Sequence, residues 1–429
     1  MKLENFRSWR ELDIELAPMT VLFGANNSGK SNILSALLLL KQSQPHPEPI
    51  NLGGDRQDYV DFGSYSDLVH QRDPLEKVTV SISWDSIEVT DNDSADHLDF
   101  GVRWGLRATE VIVEKIQYAD NQSHLDISLR DGSYTSGTRS NPDKNIVRLD
   151  KFYKFDYPDF SMHPTSTLYA FKDWYILNFE KLMESISYLG PLRANPNRTY
   201  IWRNVSPREI DAVGESTMQA IMASIREDTN HIEDASPAES LIGQVTRGLK
   251  MMGLVEGISF RMIGETVFMP EVQVNKEGEY IALTDVGFGI SQVLPIITLL
   301  YFAEPGSILL LEQPELHLHP HAQSVLADLM LEVAEKRNLQ LIVESHSEHL
   351  LRRLQRRIAE ADYAFATPEN VRAYFCKSTT DGSQIEQVKV NHYGEIENWP
   401  DGFFGDLSAD IEAIMRAGID KRKQELADG

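Results

Sequence analysis

Eight residues near the N-terminus restrict this chain more than any other stretch. Gly24-Ala25-Asn26-Asn27-Ser28-Gly29-Lys30-Ser31 fits the pattern G-x-x-x-x-G-K-[ST]. The apolar run Thr20-Val21-Leu22-Phe23 before it predicts a short buried strand. Ser31 to Leu40 after it reads as a helix, closed by Pro45, Pro47 and Pro49. In that setting the glycines let backbone N–H groups turn inward around phosphate oxygens, and the helix N-terminus adds positive potential. Lys30 is placed to reach outer phosphates and the Ser31 hydroxyl to hold Mg²⁺. The plainer alternative, a glycine turn capped by Ser28 or Ser31, explains neither the lysine nor the strand–loop–helix context.

A second feature points the same way. Ile308-Leu309-Leu310-Leu311 is apolar throughout, as in a buried parallel strand, and it runs into Glu312-Gln313-Pro314-Glu315. An acid at the C-terminal end of such a strand lies where open α/β sheets bind ligands. Beside a phosphate loop, Glu312 is the natural Mg²⁺ partner, directly or through water; alone it reads equally as a surface carboxylate. Tyr280 to Leu283 and Gln340 to Val343 are further strands, with helices at about 290–302, 319–337 and 347–360. The fold class expected is α/β, split in sequence by an α+β insertion. Residues 78–150 carry alternating runs such as Val78, Val80 and Ile82, which predict antiparallel strands. Thr217 to Arg226 and Pro237 to Met252 read as helices, and no sustained heptad series predicts long coiled-coil arms. The expected division is 1–77 with the phosphate loop, 78–270 as the insertion, 271–390 as the second part of the core, and 391–429 as a small C-terminal domain.

Composition narrows the partners. Lys and Arg number 41 against 65 Asp and Glu, a net charge of −24, which argues against coating nucleic acid by charge alone. The single cysteine, Cys376, excludes a disulfide framework. The longest apolar runs, Ile33 to Leu40 and Val293 to Ala303, are too short to span a bilayer, and the N-terminus lacks a signal-peptide core. A soluble cytoplasmic protein without a membrane partner is expected.

With Asn5-Phe6-Arg7-Ser8-Trp9, the phosphate loop, Leu311 to Pro320 and Val343-Glu344-Ser345-His346-Ser347 in view, the chain resembles the head of ABC-type ATPases (P-loop NTPases). It is most similar to the RecF/SMC/OLD-like group found in DNA repair and phage defence. Tyr188-Leu189-Gly190-Pro191-Leu192-Arg193, Asp285 to Gln292 and Trp399-Pro400-Asp401-Gly402-Phe403-Phe404 look like a bacterial branch with a small C-terminal domain of unknown function. The resemblance implies a head-to-head homodimer holding ATP and Mg²⁺ at its interface. Asn26, Asn27, Ser28, Gly29, Lys30, Ser31 and Asn32 would hold nucleotide from one copy. Gly287, Gly289, Ser291 and Gln292 occupy the signature position that would face it from the other, with Gly287 where that motif has serine and Ser291 as a substitute. His319-Pro320 matches the D-loop and His346 the γ-phosphate switch histidine. Arg7 matches a nucleotide-touching basic residue, or is a solvated arginine.

One departure matters. The usual catalytic glutamate after the Mg²⁺ acid is Gln313, which can position water but cannot take its proton. Glu315 supplies the missing carboxylate or caps a nearby helix. Slow turnover and an ATP-dependent switch are expected, since phosphoryl transfer depends chiefly on positioning and charge. His317, His319, His321, His346 and His349 read as D-loop and switch residues rather than a transition-metal site. Arg352, Arg353, Arg356 and Arg357 form one helix stripe, either a solvated or acid-pairing face or a contact for DNA or a partner. The functional expectation is an ATPase gating a separate effector, a nuclease encoded nearby, in anti-phage defence; the chain's end at Gly429 leaves little room for a fused nuclease. The alternatives are a RecF-like DNA-repair ATPase and a nucleotide-gated scaffold with negligible hydrolysis.

Overall fold

The computed structural model describes residues 1–86, 97–121, 123–138, 141–157, 166–230, 239–360, 364–400, 415–417 and 419. Most of the expected acidic loop between Asp85 and Asp99, the 401–404 part of the Trp399–Phe404 motif and most of 391–429 lie outside them.

A six-stranded sheet carries the candidate site. Its strands follow one another in space as Ile186–Leu189, Ile308–Glu312, Gln340–Glu344, Met19–Gly24, Val371–Thr379 and Gly382–Val388. The first five run parallel and the last closes the edge antiparallel. Both faces are covered, which explains the unbroken apolar runs. Val21, Phe23, Leu309, Leu311, Leu341 and Val343 point into one core with helices Leu241–Met251, Phe288–Phe302, Pro320–Arg337 and Glu348–Glu360. Leu22, Leu310 and Ile342, one residue out of phase, point into a second core with the phosphate-loop helix Lys30–Ser43. Burying each such side chain contributes roughly 1.5–3 kcal/mol before chain entropy is counted.

The second core is closed by a nine-stranded antiparallel sheet. It joins the N-terminal strands Lys2–Phe6 and Trp9–Asp13 to seven strands between Val78 and Asp156. The predicted alternation holds there: Val78, Val80 and Ile82 are buried. Phe100 lies 4.5 Å, ring centre to centre, from Phe179 of helix Ser166–Ser185. The stretch 78–270 spreads across layers, because Ile186–Leu189 pairs with Ile308–Leu311 at the edge of the parallel sheet. The expected strand at Tyr280 to Leu283 shrinks to Ile281–Ala282, followed by a 3-10 turn Leu283–Asp285. Among the described residues, no helix is long and apolar enough to cross a membrane.

Candidate functional site

Strand Met19–Gly24 delivers the chain to the loop at its C-terminal end, and helix Lys30–Ser43 carries it away. Two glycines are sterically required. Gly24 has φ 144°, and a Cβ there would stand 2.2 Å from the Cys376 carbonyl oxygen. Gly29 has φ 94°, and its Cβ would stand 2.5 Å from Ser383 Oγ and 2.6 Å from Ser8 Oγ. Asn27, at φ 61°, is of the type that tolerates this left-handed region. The helix start at Gly29 has no side-chain cap and no acid in its first turn, so no side chain covers its first N–H groups, while the Asn32 N–H donates to the Gly29 carbonyl at 3.2 Å.

Lys30 is buried. Its ammonium donates to the carbonyls of Gly24 at 3.1 Å and Ala25 at 2.7 Å, and lies 3.8 Å from Glu344 Oε1. Burial lowers its pKa, partly opposed by Glu344. The Ser31 hydroxyl donates to Glu344 Oε2 at 2.6 Å. Glu344 ends the strand next to the phosphate-loop strand, opposite Leu22, and stands in register with Glu312 on its other side. Glu312 Oε1 accepts from the Tyr188 hydroxyl at 3.0 Å. Burial first and Glu344 second push the Glu312 carboxyl up to about 7, against the Tyr188 hydrogen bond.

Gln313 turns out of its strand with φ 45°. Its N–H donates to the Glu344 carbonyl at 2.8 Å. The Arg193 guanidinium donates to the carbonyls of Glu312 at 2.8 Å and Gln313 at 3.2 Å, holding this turn from beneath. Glu315 is buried and accepts the His346 N–H at 2.7 Å. Of the two readings of Glu315, the geometry is that of a cap, but on the turn after Glu344 rather than on helix Pro320–Arg337, which His319 caps. The His346 side chain is exposed.

A cleft of about 760 Å³ opens over these groups. Arg7, Asn26 to Asn32, Gln313 and Glu344 line it, so most of the sequence-predicted binding residues converge. Arg7 is held by donation to the Asp67 carbonyl at 3.1 Å and by the Phe62 ring 5.4 Å away. None of Gly287, Gly289, Ser291 and Gln292 lines the cleft. Gly287 precedes helix Phe288–Phe302, and a Cβ on Gly289 would meet the His317 carbonyl at 2.9 Å. Ser291 donates to the Phe288 carbonyl of its own helix at 2.8 Å, and Gln292 is buried. Another cleft, about 800 Å³, lies on the Tyr188 and Lys41 side and contains no phosphate-loop residue. Among the described residues, no three His, Cys, Asp or Glu side chains gather as a metal cage.

Several participants escaped the sequence reading. Glu344 lies in the stretch Val343–Ser347, where local spacing alone assigns it no role. Trp9 Nε1 donates to the Gly29 carbonyl at 3.0 Å, and Ser8 Oγ accepts from Asn32 at 2.8 Å, so the N-terminal motif braces the loop. Tyr188 and Arg193 brace the opposite side.

A glycine cradle, a buried lysine and a hydroxyl set against strand-end carboxylates define a P-loop nucleotide site. The chain belongs to the AAA ATPase domain family, whose pattern matches residues 1–351. Residues 367–414 match a second family, described as a protein of unknown function (DUF3696), as the resemblance to a branch with such a domain implies; the match begins ahead of the expected boundary at 391 and includes the two strands Val371–Thr379 and Gly382–Val388. The chain is 20% identical over 356 residues to an OLD nuclease of Thermus scotoductus, covering 81% of this chain and 58% of that protein. It is 21% identical over 364 residues to endonuclease GajA of Bacillus cereus, covering 81% and 55%. It therefore spans less than two thirds of the length of either. A 47-residue stretch is 45% identical to the DNA replication and repair protein RecF of Corynebacterium jeikeium, 11% of each chain. Among solved structures, the SMC head domain from Thermotoga maritima aligns with 91% of this chain and 98% of that one, at TM-score 0.41 and 14% identity. The RecF and OLD parts of the resemblance are met by the sequence relatives.

Proposed function

We propose that this chain is an ATPase that binds ATP with Mg²⁺ in the 760 Å³ cleft and turns it over slowly. It closes as a head-to-head homodimer around the nucleotide and gates a partner effector of the nuclease class in anti-phage defence. The observation that carries the reading is the meeting of Lys30, Ser31 and Glu344 beneath the loop, with Gln313 on the cleft wall. The donor set fits the ligand: inward N–H groups and Lys30 suit phosphates, while a hydroxyl beside carboxylates suits a hard divalent cation. Bound Mg²⁺ would neutralise charge on the phosphates. Ser31 and Glu312 serve as its ligands, directly or through water. Gln313 orients the attacking water without taking its proton. His346, two residues past the strand that ends at Glu344, serves as the γ-phosphate sensor that the resemblance implies. Gly287, Gly289, Ser291 and Gln292 meet the nucleotide from the second copy, and Arg7 touches it from the cleft rim. Kinship with two proteins named as nucleases supports the effector class.

The test combines light-scattering mass with single-turnover and steady-state hydrolysis of labelled ATP. The reading expects doubled mass with ATP and a slow product step. Fast steady-state turnover that survives loss of both Gln313 and Glu315 contradicts it. Gln313 favours one second reading, a nucleotide-gated scaffold, identified by ATP-dependent dimerisation without single-turnover product.

A further inference from the structure

The carboxylate nearest the phosphate-loop serine is not the one that sequence spacing selects. Glu344 stands between the loop strand and Glu312, in register with Leu22 on one side and with Glu312 on the other. Its Oε2 accepts the Ser31 hydroxyl at 2.6 Å, and it lines the cleft. Glu312 is engaged by Tyr188 at 3.0 Å and is absent from the lining.

We propose that Glu344 is the direct carboxylate ligand of the divalent cation, paired with the Ser31 hydroxyl, and that Glu312 acts on the cation through water. The inference deepens the nucleotide reading and rests on it. Mg²⁺ takes oxygen ligands at about 2.0–2.1 Å in octahedral geometry, so neighbouring ligand oxygens stand about 2.9 Å apart. The Ser31–Glu344 pair needs to open by only a few tenths of an ångström to meet that spacing. One carboxylate with substrate phosphates and water is a common Mg²⁺ set, so no larger acidic cage is required.

Charge exchange gives the arrangement a purpose. In this structure the cation nearest Glu344 is Lys30, at 3.8 Å and equally buried. When Lys30 turns to phosphate, the Glu344 side chain, only 4% exposed, loses its counter-charge. A divalent cation restores it. Metal and triphosphate therefore enter as a coupled pair, with Glu344 passing from lysine to metal.

The test is Mn²⁺ binding, read by electron paramagnetic resonance with a non-hydrolysable ATP analogue, beside analogue affinity measured calorimetrically in EDTA. In Glu344→Gln the amide oxygen still accepts from Ser31, but the charge is gone. Mn²⁺ affinity should fall about tenfold or more, while analogue affinity in EDTA stays level or rises because Lys30 is released. Glu344→Asp should keep part of the Mn²⁺ affinity, and melting curves check that each variant folds. Glu312→Gln should lose less Mn²⁺ affinity than Glu344→Gln. Unchanged Mn²⁺ affinity in Glu344→Gln, or loss confined to Glu312→Gln, overturns the inference and leaves the nucleotide reading standing. Loss of analogue binding in EDTA by folded Glu344→Gln overturns it in favour of a structural role. A wild-type chain that binds no analogue overturns both.

Discussion

Two clusters in this molecule set basic groups against acids, and they are built for opposite ends. At the phosphate loop, Lys30 stands 3.8 Å from Glu344, is fastened mainly to carbonyl oxygens, and lies beneath an open cleft. On helix Glu348–Glu360, half-buried Arg353 and Arg357 each close at 2.7 Å on Asp328, which is buried on helix Pro320–Arg337. Arg352 and Arg356 pair along the helix with Glu348 and Glu360. The sequence shows the second cluster more loudly, with four arginines in six positions. Yet those arginines are matched by acids, the first of the two readings of the stripe. What separates a ligand site from a structural one is a cation whose present partners are exchangeable and whose surroundings are open.

Substitutions can break or sharpen that contrast. Asp328→Ala should cost most in stability, about 2–3 kcal/mol, because half-buried Arg353 and Arg357 lose the carboxylate they share, while Arg357 keeps Glu360 at 2.8 Å. Denaturant unfolding measures it, and nucleotide affinity of the folded fraction should hold. Gly24→Ala should cost roughly 1–3 kcal/mol, since a Cβ cannot share space with the Cys376 carbonyl at that φ. It should also displace the loop and weaken nucleotide binding, so a large binding loss with a smaller stability loss sets it apart from Asp328→Ala. Ser31→Ala should cost about 1 kcal/mol, since buried Glu344 loses its 2.6 Å hydrogen bond, and should lower metal-dependent nucleotide affinity by about tenfold, read by titration with and without EDTA. Arg356→Ala removes an exposed pair and should shift stability by no more than about 0.5 kcal/mol, read by the same unfolding curves. A larger shift there would show that the stripe carries more than its local acids account for.

Legibility in the sequence followed distance along the chain. The phosphate loop is a local pattern, and the structure places its strand, turn and helix where the spacing predicts. Strand Ile308–Glu312 was equally plain, because burial on both faces leaves an unbroken apolar run. Glu344 was not, since the serine that defines its role lies 313 residues earlier. Tyr188 and Arg193 reach Glu312 from 124 and 119 residues away, and only the fold brings them beneath it. Strand Val371–Thr379 escaped because Arg372 and Lys377 interrupt its apolar pattern, although it is hydrogen-bonded directly to the loop strand. Alternation announced the strands after Val78, but nothing local says that they continue a sheet begun at Lys2–Phe6. The segment Gly287–Gln292 shows the reverse limit: its glycines are visible in the sequence, while the turn of Ser291 into its own helix is not.

The most direct measurement is equilibrium titration of MgATP into the wild-type chain and Lys30→Ala, with Asp328→Ala as a folded comparator. The account predicts saturable binding by the wild type, affinity weakened by about 100-fold or more in Lys30→Ala, equivalent to roughly 3 kcal/mol, and little change in folded Asp328→Ala. Equal affinity in wild type and Lys30→Ala, with both chains folded, contradicts it.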